Sequence, residues 1–303
     1  MLNVAILGSG NIGCDILCKV QRSAQLDCVL FAGRNEQSSG LAFAAARQVP
    51  VSAGGLEALM QRLDDVDLVF DATSADAHLE LAEALRPHGT PIINLTPAHL
   101  GELCVPLLNG DDLHRAANIN MITCGGQASL PIVMAVCAVV PSVRYIEVVS
   151  AISARSAGPA TRRNLDHYIT TTEAAIRHFS GCEQVKTILN INPAKPEVSM
   201  QTAVSVLFDS LGNRTLGDLL DRVHQTVQEV REYVPGYELI VEPRLDADRL
   251  FVMVRVVGRG DYLPPYAGNL DIITSAAVNM AERLAARGVG RATPNALRDL
   301  VLR

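Results

Sequence analysis

The sequence has no block of Lys or Arg, and 32 acidic residues outnumber 26 basic ones for a formal net charge of −6. Sequence-independent nucleic-acid binding relies on clustered cations, so that class is excluded, and Arg162-Arg163 is too short a run to restore it. No apolar run approaches the ~20 residues that span a bilayer, which argues against a membrane-spanning helix. The chain also lacks a positively charged leader. Met1-Leu2-Asn3-Val4-Ala5-Ile6-Leu7 goes directly into a strand, so neither a secretory signal nor a transit peptide is expected and the cytoplasm is the expected compartment. The seven cysteines, Cys14, Cys18, Cys28, Cys104, Cys124, Cys137 and Cys182, are odd in number and show no CxxC spacing. A disulfide framework and a zinc knuckle are both poor fits, and most of these thiols read as small buried hydrophobes. None of the seven histidines falls at a ligand or triad spacing, so no metal is expected; His99 and His167 stand only as cleft candidates. There is no internal repeat, low-complexity stretch or Gly/Ser linker.

What remains is a chain of 303 residues, 49% hydrophobic and 19% charged, long enough for two cores at roughly 100–200 residues per domain. In the first third, short apolar runs at Asn3–Leu7, Cys28–Ala32, Leu68–Ala72, Pro91–Leu95 and Ile119–Thr123 read as strands. Helix-like segments separate several of them. Such alternation predicts a parallel sheet, because each parallel strand needs a crossover. After Pro131, longer strand-like runs appear at Val143–Ile152, Val185–Asn192, Val198–Phe208, Glu238–Val241 and Leu250–Gly258, interrupted by amphipathic helices over Asn164–Phe179 and Leu216–Val234. They predict an antiparallel or mixed sheet with helices on one face. A last helix is expected at about Asn269–Arg287. The fold class expected is α/β, with an N-terminal Rossmann dinucleotide-binding domain of residues 1–130 plus 269–303 and a second α+β domain of residues 131–268.

Gly8-Ser9-Gly10-Asn11-Ile12-Gly13 is a GxGxxG run lying between a strand and a helix. Glycines there permit a tight turn and close backbone approach, so that a pyrophosphate can sit on the helix N-terminus. The alternative is a turn that needs glycine for packing alone. An acidic residue about 20 positions on usually bonds the ribose 2′-hydroxyl of NAD. Here the second strand ends Phe31-Ala32-Gly33-Arg34-Asn35, and a cation tolerates a 2′-phosphate, so NADP stands beside NAD as an expected cofactor.

The second informative stretch is Asn120-Met121-Ile122-Thr123-Cys124-Gly125-Gly126-Gln127-Ala128-Ser129-Leu130-Pro131. A strand ends, two glycines turn the chain, and Pro131 suits the first turn of a helix that runs on to Val140. Cys124 is thereby expected beside free backbone N–H groups, which lower a thiol pKa and stabilise an oxyanion. Two polar segments complete the set. Ser153–Asn164 is a loop of small residues able to donate to a ligand, and Ala267–Ala277 is a turn and helix start with a candidate amide at Asn269.

SGNIG at Ser9–Gly13, NMITCGGQA at Asn120–Ala128, SAGPATRRN at Ser156–Asn164 and GNLDIITSAA at Gly268–Ala277 together resemble the acylating acetaldehyde dehydrogenase family. The resemblance implies a second domain of the glyceraldehyde-3-phosphate-dehydrogenase type and oxidation of a short aldehyde to an acyl-coenzyme A. It makes Cys124 the nucleophile that carries the acyl thioester. It assigns to the dinucleotide Ser9, Gly10, Asn11 and Ile12, which join Gly8 and Gly13 of the same run, Arg34 and Thr73 as the expected cofactor residues of the first domain. From the second domain it adds Ser156, Ala157, Gly158, Pro159, Ala160, Thr161, Arg162, Arg163, Asn164 and Asn269. It further implies a homo-oligomer and a partner 4-hydroxy-2-oxoacid aldolase, with Asn164 and Leu165 matching the tunnel-lining pair.

One position departs from the pattern. Members carry Met-Arg-Asp-Thr on a strand of the second domain, and aligning Met200-Gln201-Thr202-Ala203-Val204 puts Thr202 where the Asp would assist the cysteine. Threonine is no general base near neutral pH, so thiol activation is expected from the helix start. Two other functions remain: a semialdehyde or acyl dehydrogenase with phosphate or water as acceptor, and a dinucleotide-sensing subunit without turnover.

Overall fold

The computed structural model describes residues 1–98 and 100–289, and of Pro159 and Ala160 only the backbone. His99, one of the cleft candidates, and residues 290–303 of the expected first domain lie outside the described residues. The chain divides into two compact units, Met1–Met121 with the stretch from Ala277 onward, and Ile122–Ala276.

The first unit comprises β1 (Leu2–Leu7), α1 (Asn11–Val20), β2 (Leu26–Ala32), α2 (Ser39–Ala45), β3 (Val51–Ser52), α3 (Gly55–Gln61), β4 (Leu68–Asp71), α4 (Ala75–Leu85), β5 (Ile92–Asn94), β6 (Glu102–Leu103), α5 (Pro106–Asn109) and β7 (Asn118–Asn120). Its strands form one parallel sheet in the order β3-β2-β1-β4-β5-β7-β6. β1, β2 and β4 are apolar because the sheet is covered: Ala5, Leu7, Leu30, Ala32, Val69 and Ile92 pack with Leu59 of α3 and Leu81 and Leu85 of α4. The winding direction changes between β1 and β4, which makes the carboxyl ends of those strands the place where a doubly wound sheet binds its ligand. Of the strands, the two-residue β3 and β6 carry too little pattern to be read from sequence.

The second unit runs α6 (Cys124–Cys137), β8 (Val143–Ser153), α7 (Pro159–Arg163), α8 (Leu165–Ser180), β9 (Val185–Asn192), β10 (Met200–Phe208), α9 (Leu216–Arg231), β11 (Tyr237–Asp246) and β12 (Arg249–Val256) into α10 (Gly268–Ala286). Its five-stranded sheet has the order β11-β12-β10-β8-β9, antiparallel except for the parallel pair β8 and β9, so the sheet is mixed. Strand residues alternate between a buried and a half-exposed face, the period-2 pattern of a sheet covered on one side. α6 packs against α8 and α9, and all three helices pack against the sheet. α9 starts at Thr215, whose hydroxyl accepts from the Asp218 N–H while the Asp218 carboxylate accepts from the Thr215 N–H.

The helix expected to begin at Pro131 begins instead at Cys124, and Pro131 lies in its interior. The cap decides the start: Thr123 is extended and its hydroxyl accepts from Gly126 N–H at 3.0 Å. Among the described residues, no helix is long and apolar enough to cross a membrane.

Candidate active site

In the first unit the chain leaves β1 through Gly8 at φ 110°. A Cβ on Gly8 would lie 2.4 Å from the Ala72 carbonyl oxygen beyond β4, and one on Gly13 would lie 1.9 Å from the Gly8 carbonyl oxygen. Both positions require glycine for close backbone approach. At Gly10 an added Cβ would meet nothing within 4 Å, and Gly10 caps α1 without any side-chain hydrogen bond. An uncapped helix start beside open space is where N–H groups and dipole receive a phosphate anion. These features fit a dinucleotide pyrophosphate.

Arg34 and Thr73 lie at the ends of the neighbouring strands. Gly33, which follows β2, packs on Ser9, and the Ser9 hydroxyl is 2.8 Å from that of Ser38. Arg34 is exposed and passes beside Gly55, whose added Cβ would be 3.3 Å from Arg34 Cγ. Thr73 follows β4 and is half-buried, and its N–H and hydroxyl both donate to Asp71, at 3.0 and 2.6 Å. The other Asp71 oxygen is 2.8 Å from Nδ1 of His78, a fully buried residue of α4. Asn11 is exposed and Ile12 half-buried at the start of α1.

In the second unit Cys124 is the first residue of α6. Two residues before it, Ile122 has φ 57°, a left-handed conformation that a β-branched residue rarely adopts. That bend brings Thr123 into its capping position. The Thr123 hydroxyl is also 2.7 Å from that of Thr172, which donates to the Tyr168 carbonyl at 2.7 Å, and α8 is thereby tied to the start of α6. Cys124 Sγ lies 4.0 Å from Tyr168 Oη. An added Cβ on Gly125 would lie 2.0 Å from that Oη and 3.1 Å from Ser150 Oγ, so glycine is needed to let both hydroxyls approach the helix backbone. Ser150 Oγ is in turn 3.0 Å from Thr202 Oγ1, and both residues are fully buried.

The acidity expected of Cys124 is corrected by this setting. The residue keeps part of its surface exposed, yet its thiol is enclosed, and burial pushes it up to about 11. The Tyr168 hydroxyl and the backbone N–H groups of Gly125 and Cys124 pull the other way, and desolvation of the thiolate outweighs them. Burial also holds Cys28 and Cys104 up at about 12 and Cys137 at about 11. Acidity therefore does not single out Cys124. Its distinction is the ring of donors. Tyr168 is pushed well above the usual phenol range by burial and then by Cys124, which keeps it a proton donor.

The third and fourth segments meet. Asn269, 2% exposed at the start of α10, donates to the Ser156 carbonyl at 3.5 Å, and among the described residues its Oδ1 has no hydrogen-bond partner. An orphaned buried amide oxygen is costly unless a ligand N–H completes it. Ser156 and Ala157 are buried and Gly158 has open space around its Cα. Arg162 curls onto its own loop, donating to the carbonyls of Ala157 at 3.0 Å and Ala154 at 2.7 Å. Thr161 is half-buried, and Arg163 and Asn164 are exposed. His167, half-buried on α8, belongs beside Tyr168, with its carbonyl accepting from Thr171.

Sequence reasoning missed Tyr168, Ser150 and Ile122. Tyr168 reads as one more apolar residue at helical spacing, and its ring does behave so; only its hydroxyl, brought over Gly125 by the fold, is chemical.

Residues 3–116 match the family model for the NAD-binding domain of semialdehyde dehydrogenase, and residues 124–264 match the model for the dimerisation part of prokaryotic acetaldehyde dehydrogenase. An acetaldehyde dehydrogenase of Spirochaeta aurantia is 50% identical over 284 residues, covering 94% of this chain and 95% of its own length. One from Pectobacterium atrosepticum is 45% identical, covering 96% and 98%. One from Burkholderia pseudomallei is 51% identical, covering 92% and 93%.

Proposed function

The chain belongs to the acetaldehyde dehydrogenase family, and from that premise we propose that it oxidises a short aldehyde to an acyl-coenzyme A with Cys124 as nucleophile. The observation that carries this reading is Cys124 at the start of α6, among backbone N–H groups and the Tyr168 hydroxyl. Sγ bonds the aldehyde carbon as the thiol proton passes to the carbonyl oxygen, and N–H groups at the helix start receive the developing oxyanion. NAD, when bound, would supply the acceptor for the hydride leaving the thiohemiacetal carbon, while the hydroxyl proton passes to solvent and the carbonyl of the thioester forms. The acyl group then leaves Cys124 for the thiol of coenzyme A, whose proton returns to Sγ.

Gly8–Gly13 would hold the pyrophosphate, with Ser9, Gly10, Asn11 and Ile12 lining it and Thr73 at the neighbouring strand end. Asn269, through its orphaned Oδ1, and Ser156 to Asn164 complete the cofactor set from the second unit. The dinucleotide-binding domain is taken as residues 1–130 plus the segment from 269 onward and the α+β domain as 131–268; Cys124, although inside the first span, belongs to the compact unit Ile122–Ala276, to which catalysis and subunit contacts are assigned. The half-exposed face of the second sheet supports a homo-oligomer, because Ile188, Val149, Ala203, Met253 and Val241 pair across all five strands as one apolar row. The test is product analysis with acetaldehyde and NAD: acetyl-coenzyme A should form with coenzyme A. Acetyl phosphate from phosphate, or acetate from water, as the main product would favour a semialdehyde-type dehydrogenase; no turnover with any acceptor would favour a sensing subunit.

Arg34 is the residue that sets tolerance for NADP in this reading, since it is exposed beyond β2 where a carboxylate would repel a 2′-phosphate. NADP should be accepted within about tenfold of NAD, and Arg34→Asp should weaken NADP selectively by removing a charged phosphate partner. Absence of NADP turnover in the unaltered enzyme would put Arg34 outside the ribose site. The 4-hydroxy-2-oxoacid aldolase is the expected partner, with Asn164 and Leu165 toward its tunnel; co-expression should yield a complex, and full activity of the lone enzyme with no complex would remove it.

A further inference from the structure

Three hydroxyls descend from the sheet to the nucleophile. Thr202 on β10 and Ser150 on β8 are register partners whose side chains lie on the buried face, 1% and 0% exposed, with their oxygens 3.0 Å apart. The Ser150 and Tyr168 hydroxyls meet over Gly125, 3.1 and 2.0 Å from where its Cβ would stand, Ser150 acts on the phenol against the upward push of burial, and Tyr168 Oη is 4.0 Å from Cys124 Sγ. The oxygens of both Tyr168 and Ser150 crowd onto Gly125 Cα, so the second residue of α6 is shaped to admit them. The groups acting on the sulfur are the Tyr168 hydroxyl, from α8, and the N–H groups of Cys124 and Gly125, from α6. All are neutral.

We propose that Thr202, Ser150 and Tyr168 form a reversible ladder of neutral hydroxyls ending on Cys124, with Tyr168 the catalytic donor to sulfur and Ser150 and Thr202 positioning residues. The proposal rests on Cys124 being the nucleophile. Each hydroxyl has one proton and two lone pairs, so each can donate in either direction along the ladder. While sulfur holds its proton, S–H donates to Tyr168, Tyr168 to Ser150 and Ser150 to Thr202. When the proton leaves for the substrate oxygen or solvent, the three hydroxyls rotate toward sulfur, and each bond polarises the next. No proton enters or leaves the ladder. A carboxylate at its foot, an acceptor only, would fix the first direction. Tyr168 suits the terminal place because burial keeps its own proton on.

The test is alkylation of Cys124 by iodoacetamide in the full-length protein without aldehyde or coenzyme, followed by peptide mass spectrometry between about pH 6 and 10, where the rate of a thiol held up at about 11 climbs with its thiolate fraction. Tyr168→Phe should slow alkylation at neutral pH about tenfold and move the rise in rate about one unit to higher pH. Thr202→Val should slow it about threefold alone and have no further effect in the Tyr168→Phe background, the non-additivity of groups acting in series. Should Thr202→Val fail to fold, Ser150→Ala takes its place in the same cycle. A Tyr168→Phe profile superposing on the parent, or equal effects of Thr202→Val in both backgrounds, would overturn the ladder. Failure of the nucleophile reading would look different: Cys124→Ala would still turn over aldehyde whatever the alkylation rates.

Discussion

Replacing Cys124 with alanine should lower acyl-coenzyme A formation by about four orders of magnitude, while NAD binding and the folded state persist. The magnitude follows from removing the atom proposed to carry the acyl group, since covalent catalysis has no partial substitute for its nucleophile. Alanine fits the site without strain, because Cys124 occupies an ordinary helical position and alanine keeps every atom of it but the sulfur. Serine should be nearly as poor, its hydroxyl being far less acidic and less nucleophilic than a thiol already held up at about 11. Steady-state rates of thioester formation, with cofactor affinity by calorimetry as the control, give the comparison. Turnover within about tenfold of the parent, a difference of roughly 1.4 kcal/mol in barrier, would remove Cys124 from the chemistry.

Gly13→Ala should abolish useful NAD binding, with affinity down by about a hundredfold or more, roughly 2.7 kcal/mol. The added methyl would lie 1.9 Å from the Gly8 carbonyl oxygen, a backbone atom that cannot rotate away. Either the turn after β1 widens or the start of α1 lifts, and each change displaces the N–H groups offered to the pyrophosphate. Gly10→Ala is the matched control. Its Cβ would meet no protein atom within 4 Å, so any loss there measures crowding of the ligand rather than distortion of the loop. Normal NAD affinity in Gly13→Ala, with unchanged circular dichroism, would mean that this turn does not bind the cofactor.

The two regions differ in how much of them the sequence discloses. The need for glycine at Gly13 arises within one strand–turn–helix, from the Gly8 carbonyl five residues before it, so spacing alone exposes it, whereas Gly8 is also closed on by the Ala72 carbonyl from beyond β4. Around Cys124 the same letters mislead. Gly125 and Gly126 look like a turn because glycine is a poor helix former, and Pro131 then looks like a helix start. In the fold both glycines are helical, Gly125 because Tyr168 and Ser150 occupy the space of its side chain and Gly126 because Ile122 Cγ2 would be 2.9 Å from one. Those neighbours come from β8, α8 and a strained bend, and no local pattern signals them. The thiol acidity is hidden from the sequence for a related reason: a helix start is visible there, whereas the enclosure that outweighs it is not. Thr202, set apart in sequence by what it lacks, gains its meaning only from its register with Ser150.

The left-handed backbone at Ile122 has a bearing on how the protein can change over time. A branched residue held at φ 57° carries strain of about 1–3 kcal/mol. Glycine or asparagine at 122 would relieve part of it, and selection for heat tolerance alone would favour such a replacement. The same relief would slacken the bend that sets Thr123 as cap and Cys124 as first helical residue. Ile122 therefore marks a place where durability and turnover pull against each other, and where retained discomfort in the backbone is the sign of a working site.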